Sequence, residues 1–305
     1  MNDWGKQFFN VLLQWFIGEH LAMEALFDSI RKSSSILVRA PVHLAFAKPF
    51  FEHFYSQERF GAKSLNSPVF SLSFDCDFKK DNEAIPNLLE VLASYGLSCD
   101  FAAIGRWVEK YSSTYRKILD QGHEIINHTY THPDNYELSP NKYFTELSTE
   151  EKKKEISKCH KVVLDKLEYE MKGYRTPHFG YQWTNDVYSI LEELGYLFSS
   201  SIIASKAEKF VPYQIGKIWE FPISICPQHP MSSLDSFHVV RAKKHTPEEF
   251  LSLFEFMINK AKRENLFINL YFDPQDVATL PEFEKMLEDV CSENTIKKKT
   301  LSELI

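Results

Sequence analysis

The sequence predicts an α/β fold: a barrel of about seven strand–helix units preceded by an N-terminal helical extension. Two observations carry that prediction. Short apolar, β-branched and aromatic runs alternate with amphipathic stretches, several of them stopped by a glycine such as Gly96, Gly122 or Gly195. The residues able to do chemistry stand just after the strand-like runs, which is where a parallel barrel exposes its functional groups. With 305 residues, 44% hydrophobic and 25% charged, the chain can bury one large core.

Residues 1–63 read as a helical segment of their own. Over 8–30, Phe9, Leu12, Leu13, Phe16 and Ile17 recur on one stripe, and 42–54 carries Phe46, Phe50, Phe51 and Phe54. The uncharged run 7–18 is too short to span a bilayer. Asp3 offsets Lys6 and no small-residue cleavage site follows, so a signal peptide is not expected. Two roles stay open: packing on the main domain or on a second copy in a homo-oligomer, or peripheral contact with a membrane surface, which Trp4, Trp15 and Arg31-Lys32 suit.

A small polar linker, 61–68, leads into a domain spanning 64–305. Its first part reads as strand 69–74, helix 84–95, strand 100–104, helix 113–120 and strand 124–127, with Gly96 and Gly122 marking the helix stops. A polar excursion, 134–148, precedes the charged helix 148–170, whose Glu150–Glu155 run is a solvated face. Then come a strand near 171–174, helix 184–194 and strands 197–202 and 218–223. Helix 247–264 is entered through Thr246-Pro247-Glu248-Glu249, and strand 267–272 and helix 281–291 follow. Thr300 and Glu303 resemble a capping box.

The net charge of −7 argues against a nucleic-acid partner, which would need a basic face. An aromatic content of 14% fits a large core, a sugar-stacking groove or both. Cys76, Cys99, Cys159, Cys226 and Cys291 are odd in number and without a CxxC pair, as expected for reduced thiols in a cytosolic setting. None is expected to bind metal. His229 and His238 read as loop histidines that could line a substrate lid.

Three strand ends carry the chemistry. Asp75-Cys76-Asp77 sends two carboxylates off one strand at i and i+2, on the same side if the extension persists. One could bind metal while the other stays free as a base, although such a pair also serves as a turn or helix cap. His128 and His132, four residues apart, can converge on a divalent cation. In Tyr174-Arg175-Thr176-Pro177-His178-Phe179-Gly180, an arginine at a strand end would orient and ionise a buried acid.

Together, in this order, these stretches resemble the motifs of the polysaccharide deacetylase family, carbohydrate esterase family 4, which carries the NodB-homology domain. The resemblance covers about 67–305 and implies a distorted (β/α)7-type barrel. It implies that Asp75 is the general base, that Asp77, His128 and His132 hold one divalent metal, and that Arg175 tethers Asp75. The backbone N–H of His178 would stand in the oxyanion hole. Zn²⁺ is the expected metal, with Co²⁺, Fe²⁺, Mn²⁺ or Ni²⁺ as alternatives. The implied reaction is removal of an N-acetyl group from a saccharide, and a glycan precursor or lipid-linked saccharide would suit a cytoplasmic protein, at or away from the inner membrane face. One departure stands out. The family's late histidine acid is matched here by Asp273, which would need a raised pKa to act as the acid in its place. His178, His238 or a water are the other candidates for that proton. The strand around 197–201 also lacks a carboxylate often seen there. Hydrolysis of a formamide or cyclic amide at the same site, and saccharide binding without catalysis, therefore stay open.

Overall fold

The computed structural model describes residues 67–305 together with Ile30, Ala47, Phe50, Phe51 and Glu52. β1 (Val69–Asp75) is buried along its whole length, as a strand covered on both faces must be. The chain then alternates through α1 (Lys79–Tyr95), β2 (Asp100–Ala103), α2 (Gly105–Lys110), α3 (Ser112–Asp120) and β3 (Glu124–Asn127). It continues through α4 (Thr149–Leu167), β4 (Gly173–Tyr174), α5 (Phe179–Gln182), α6 (Val187–Glu193) and β5 (Phe198–Ser199). A hairpin of β6 (Tyr213–Ile215) and β7 (Ile218–Glu220) precedes α7 (Pro247–Glu264) and β8 (Phe267–Phe272). α8 (Pro274–Val277), α9 (Glu282–Ser292) and β9 (Lys297–Lys298) complete the described elements.

The strands lie in the order β6-β7-β5-β4-β3-β2-β1-β8, with β9 added to β1. Among the described strands only β6 and β7 pair antiparallel; the other strand pairings are parallel. The two ends of this curled sheet share no strand pairing. They meet instead at Ser224 and Asn269, where each backbone N–H donates across the seam, to Asn269 O at 2.9 Å and to Ser224 Oγ at 3.0 Å. The result is the expected distorted barrel, closed by a side chain and a loop rather than by a ladder.

The pairing is uneven around the sheet. β1 and β8 match over six residues, whereas β3 and β4 match at the single pair Asn127–Tyr174. The strands expected at 171–174, 197–202 and 218–223 shrink to two or three residues. Buried side chains take over their hydrogen bonds: Glu220 Oε1 accepts from the N–H groups of Ser201 and Ile202 at 2.8 and 3.0 Å. Gly173 has a steric reason to be glycine, since a Cβ there would come within 2.2 Å of the Phe198 ring.

Helix α1 starts at Lys79, five residues before the expected 84. Its first turn contains Asp81 and Asn82, both buried. Asp81 Oδ2 accepts from Phe78 N at 2.8 Å, and Asn82 Nδ2 donates to Phe78 O at 2.8 Å. Polar residues buried in this way are invisible to a hydropathy pattern. Inside the barrel Val69, Ala102, Ile126, Phe198, Phe221 and Phe267 form a compact apolar group, plugged by Leu301 from the C-terminal segment. The outer core is much larger and includes Phe50 and Phe51. Phe51 lies 5.9 Å from the Phe256 ring, and Glu52 accepts from Lys260 Nζ at 2.5 Å. The remainder of the expected extension, including the 8–30 stripe, both tryptophans and the linker up to residue 66, lies outside the described residues.

Candidate metal centre

The C-terminal ends of β1, β3 and β4 bring the three sequence stretches together. Asp77 leaves β1 on a turn whose carbonyl accepts from Trp107 Nε1 at 2.9 Å and from Asn135 Nδ2 at 2.7 Å. After β3 the backbone turns sharply, with Thr129, His132 and Asp134 all at left-handed φ, 66°, 51° and 72°. For a β-branched residue such as Thr129 this conformation costs on the order of 1–3 kcal/mol. Asn127 holds the turn: its Oδ1 accepts from Thr129 N at 2.8 Å, while its Nδ2 donates to Ile156 O and Tyr196 Oη. Thr129 Oγ1 in turn accepts from His132 N at 3.1 Å.

Both imidazoles are thereby aimed at Asp77. His128 Nε2 and His132 Nε2 each stand 3.3 Å from Asp77 Oδ1. The other nitrogen of His128, Nδ1, lies 2.9 Å from the Arg175 carbonyl. A carbonyl can only accept, so Nδ1 carries the hydrogen and Nε2 presents its lone pair inward, the usual arrangement for a ligating histidine. Asp77 Oδ1, His128 Nε2 and both ring nitrogens of His132 are buried without a hydrogen-bond partner. Leaving such groups unpaired is costly, and one ligand atom from each of the three residues falls within a 4.8 Å cluster. One carboxylate oxygen and two imidazoles, all orphaned and convergent, fit a divalent cation of borderline hardness. Burial pushes the His132 imidazole down to about 3, so it is neutral and able to ligate.

Asp75 sits beside this cluster with its Oδ2 3.9 Å from His128 Nε2. Its Oδ1 accepts from Arg175 at 2.6 Å. Arg175 is fully buried, and every arm of its guanidinium is used: Nε donates to Ser200 O and the second terminal nitrogen to Ser200 Oγ, both at 3.0 Å. Burial pushes the Asp75 carboxyl up from its ordinary value, against the opposing pull of Arg175 and then His128. A carboxylate raised towards the working pH suits a general base.

His178 is close by. It adopts a left-handed φ of 47° at the start of α5, and its ring lies 4.7 Å from that of His132. Its Nε2 is buried without a hydrogen-bond partner. Tyr181 stacks on His178 at 5.3 Å and is 63% exposed; Tyr136 stacks on Phe78 at 4.7 Å and is 69% exposed. These exposed rings offer flat apolar faces next to Phe78 and His178.

Asp273 is held differently from the other predicted site residues. Its carboxylate pairs with the Arg241 guanidinium, which also binds Asp276 at 2.9 Å. Its backbone N–H donates to Ser236 Oγ at 3.0 Å. His238 is fixed by Asp235, whose carboxylate oxygens both lie 2.8 Å from Nδ1. Sequence reasoning missed the supporting residues Asn127, Ser200 and Arg241, for which no local pattern exists. It also assigned no ligand role to any cysteine, whereas Cys226 groups with His229 and His245; the C-x2-H spacing of 226 and 229 was the available signal.

Comparison with known proteins agrees with this geometry. Residues 62–199 match the family model for polysaccharide deacetylase. It is 34% identical over 64 residues, 21% of this chain and 29% of the relative, to a chitooligosaccharide deacetylase of Bradyrhizobium sp. (strain ANU 289). It is 31% identical over 87 residues, 28% of this chain and 31% of the relative, to a peptidoglycan-N-acetylglucosamine deacetylase of Bacillus cereus. The chain thus spans under a third of the length of these curated relatives. The fold matches that of a Mycobacterium smegmatis protein assigned as a polysaccharide deacetylase, with a TM-score of 0.64 at 17% identity over 79% of this chain and 89% of that one.

Proposed function

We propose that the protein is a metal-dependent hydrolase that removes the N-acetyl group from an N-acetylated sugar, in a glycan precursor or lipid-linked saccharide. The observation that carries this reading is the convergence of Asp77, His128 and His132 beside an aspartate held by a buried arginine. The metal, for which Zn²⁺ suits the donor set best, supplies Lewis acidity that lowers the pKa of water and polarises the amide carbonyl when bound. Asp75 takes the proton of the attacking water, and Arg175 holds its carboxylate in place for that transfer. The backbone N–H of His178 is the donor for the developing oxyanion. The departing amine must leave protonated. Asp273 is a poor source, because its carboxylate is taken up by the Arg241 guanidinium. The His178 ring, 4.7 Å from His132 with Nε2 unpartnered, is the better donor. Tyr136 and Tyr181 stack on sugar faces.

The domain boundary at 63/64 belongs to the same proposal, with the extension packed on the barrel through Phe50 and Phe51 rather than on a membrane; both are buried in the core. Among the described residues no helix is long and apolar enough to cross a membrane. The activity is tested by acetate release from a panel of N-acetylated oligosaccharides and lipid-linked sugars, using full-length protein loaded with Zn²⁺. Acetate that disappears in His128→Ala and falls at least about tenfold in His178→Ala supports the assignment. Formate from formamides alone would move the function to deformylation, and no acyl product from any substrate would overturn it.

A further inference from the structure

A second group of soft and borderline ligands stands apart from the strand-end cluster. Cys226, His229 and His245 offer one ligand atom each within 4.8 Å. Cys226 Sγ lies 3.4 Å from His245 Nε2, and His229 Nδ1 lies 3.1 Å from the same nitrogen. Cys226 is fully buried and His245 is 5% exposed. We propose that these three side chains form a zinc site separate from the triad.

The chemistry of the donors supports a cation more than it supports a hydrogen-bonded cluster. Two imidazole nitrogens and a sulfur converge here, and neutral imidazoles have one donor hydrogen each. His245 Nδ1 is buried without a partner; a proton placed on Nε2 instead would serve only one of its two close neighbours. On binding, the S–H bond breaks, its proton is released to solvent, and the sulfur lone pair forms the S–Zn bond, with no change of oxidation state. No fourth Cys, His, Asp or Glu among the described residues joins the group, which leaves one vertex of a tetrahedral ion for water.

The position of the site gives it a use. Cys226 and His229 flank a tight turn in which Cys226 N donates to Ser232 O and Ser232 N to His229 O, both at 2.8 Å. His245 directly precedes Thr246, the N-cap of α7. A cation here would pin both ends of the segment that carries Asp235, His238 and Arg241, and Arg241 is the partner of Asp273. It would therefore fix the loop facing the end of β8, a region with little regular secondary structure beyond the single π-type turn Phe237–Arg241.

The two sites are distinguishable because only one contains sulfur. Full-length protein loaded with Co²⁺ is expected to show a thiolate-to-Co²⁺ charge-transfer band in the near ultraviolet, retained in His128→Ala and lost in Cys226→Ser. Elemental analysis after Zn²⁺ loading should show one equivalent fewer in Cys226→Ser and, separately, one fewer in His128→Ala. Should Cys226→Ser fail to fold by circular dichroism, His229→Ala, at a half-exposed loop position, is expected to lose the same equivalent. Absence of the sulfur band from the Co²⁺ protein would overturn the proposal. So would a Zn²⁺ content unchanged in a folded Cys226→Ser or His229→Ala chain.

Discussion

Two aspartates on adjacent strands stand two residues apart in register. Asp75 ends β1 among the metal-site residues, and Asp100 opens β2 beside the C-terminal plug; the register aligns Asp100 with Ser73 and Asp75 with Ala102. Both are buried, and burial pushes both carboxyls up from their ordinary values. Their partners differ. Asp75 has the Arg175 guanidinium at 2.6 Å. Asp100 accepts from one backbone N–H, that of Leu301 at 3.0 Å, and its Oδ1 has no partner. Nearby Glu124 adds to the effect of burial, and the carboxyl is pushed up to about 8. Desolvation reinforced by a neighbouring carboxylate favours a protonated acid at Asp100, whereas at Asp75 desolvation is opposed by a buried cation, as the proposed base role requires. The distinguishing feature is the partner.

The largest effect expected from breaking this contrast is at Arg175. Arg175→Met removes the partner of Asp75 and the ties to Ser200, stranding a buried carboxylate and leaving the Ser200 carbonyl without its guanidinium donor. The expected loss is about 3–5 kcal/mol of stability, read from denaturant unfolding, together with deacetylation at background. Arg175→Lys should not rescue either property, since an ammonium cannot reproduce the fork that reaches two strands. A variant as stable as the native chain would remove the anchoring role assigned to this residue.

That role was partly legible in the sequence. The alternation of strands and helices, the carboxylate pair at 75 and 77, the HxxxH spacing and the arginine after a strand all depend on local pattern, and the structure brings those side chains together. What could not be read locally depends on distant pairing. Ser200 and Asn269 support Arg175 from β5 and β8, and strands of two residues leave no period to detect. The early start of α1 was hidden because Asp81 and Asn82 look like surface residues but are buried. Asp273 was read as an acid by position, while its guanidinium partner lies on a loop with no sequence signature. Asp100 was read only as the first residue of a strand; its environment comes from Leu301, 201 residues later.

A narrower change separates chemistry from architecture. Asp75→Asn keeps an oxygen that can accept from Arg175 but removes the charge that takes a proton from water. Deacetylation should fall by about 10²–10⁴-fold, while bound metal and unfolding midpoint change little. Activity within a few-fold of the native level would mean that another group is the base. Loss of metal along with activity would make Asp75 a ligand and collapse its distinction from Asp77.

The smallest and most specific effect is expected at Asp100. Asp100 has a folded-state pKa of about 8 against an ordinary 3.8. A group raised in this way favours folding when protonated, so its contribution is complete below the unfolded value and is lost as pH rises through the folded one. The native chain should accordingly lose stability between about pH 4 and about pH 8 from this source. Asp100→Asn keeps a carbonyl for Leu301 N and cannot ionise, so its stability should be flatter over the same window and exceed that of the native chain at the alkaline end. Parallel stability curves for the two chains across that window would show that Asp100 is ionised in the fold, and the absence of a cationic partner would then not be what separates it from Asp75.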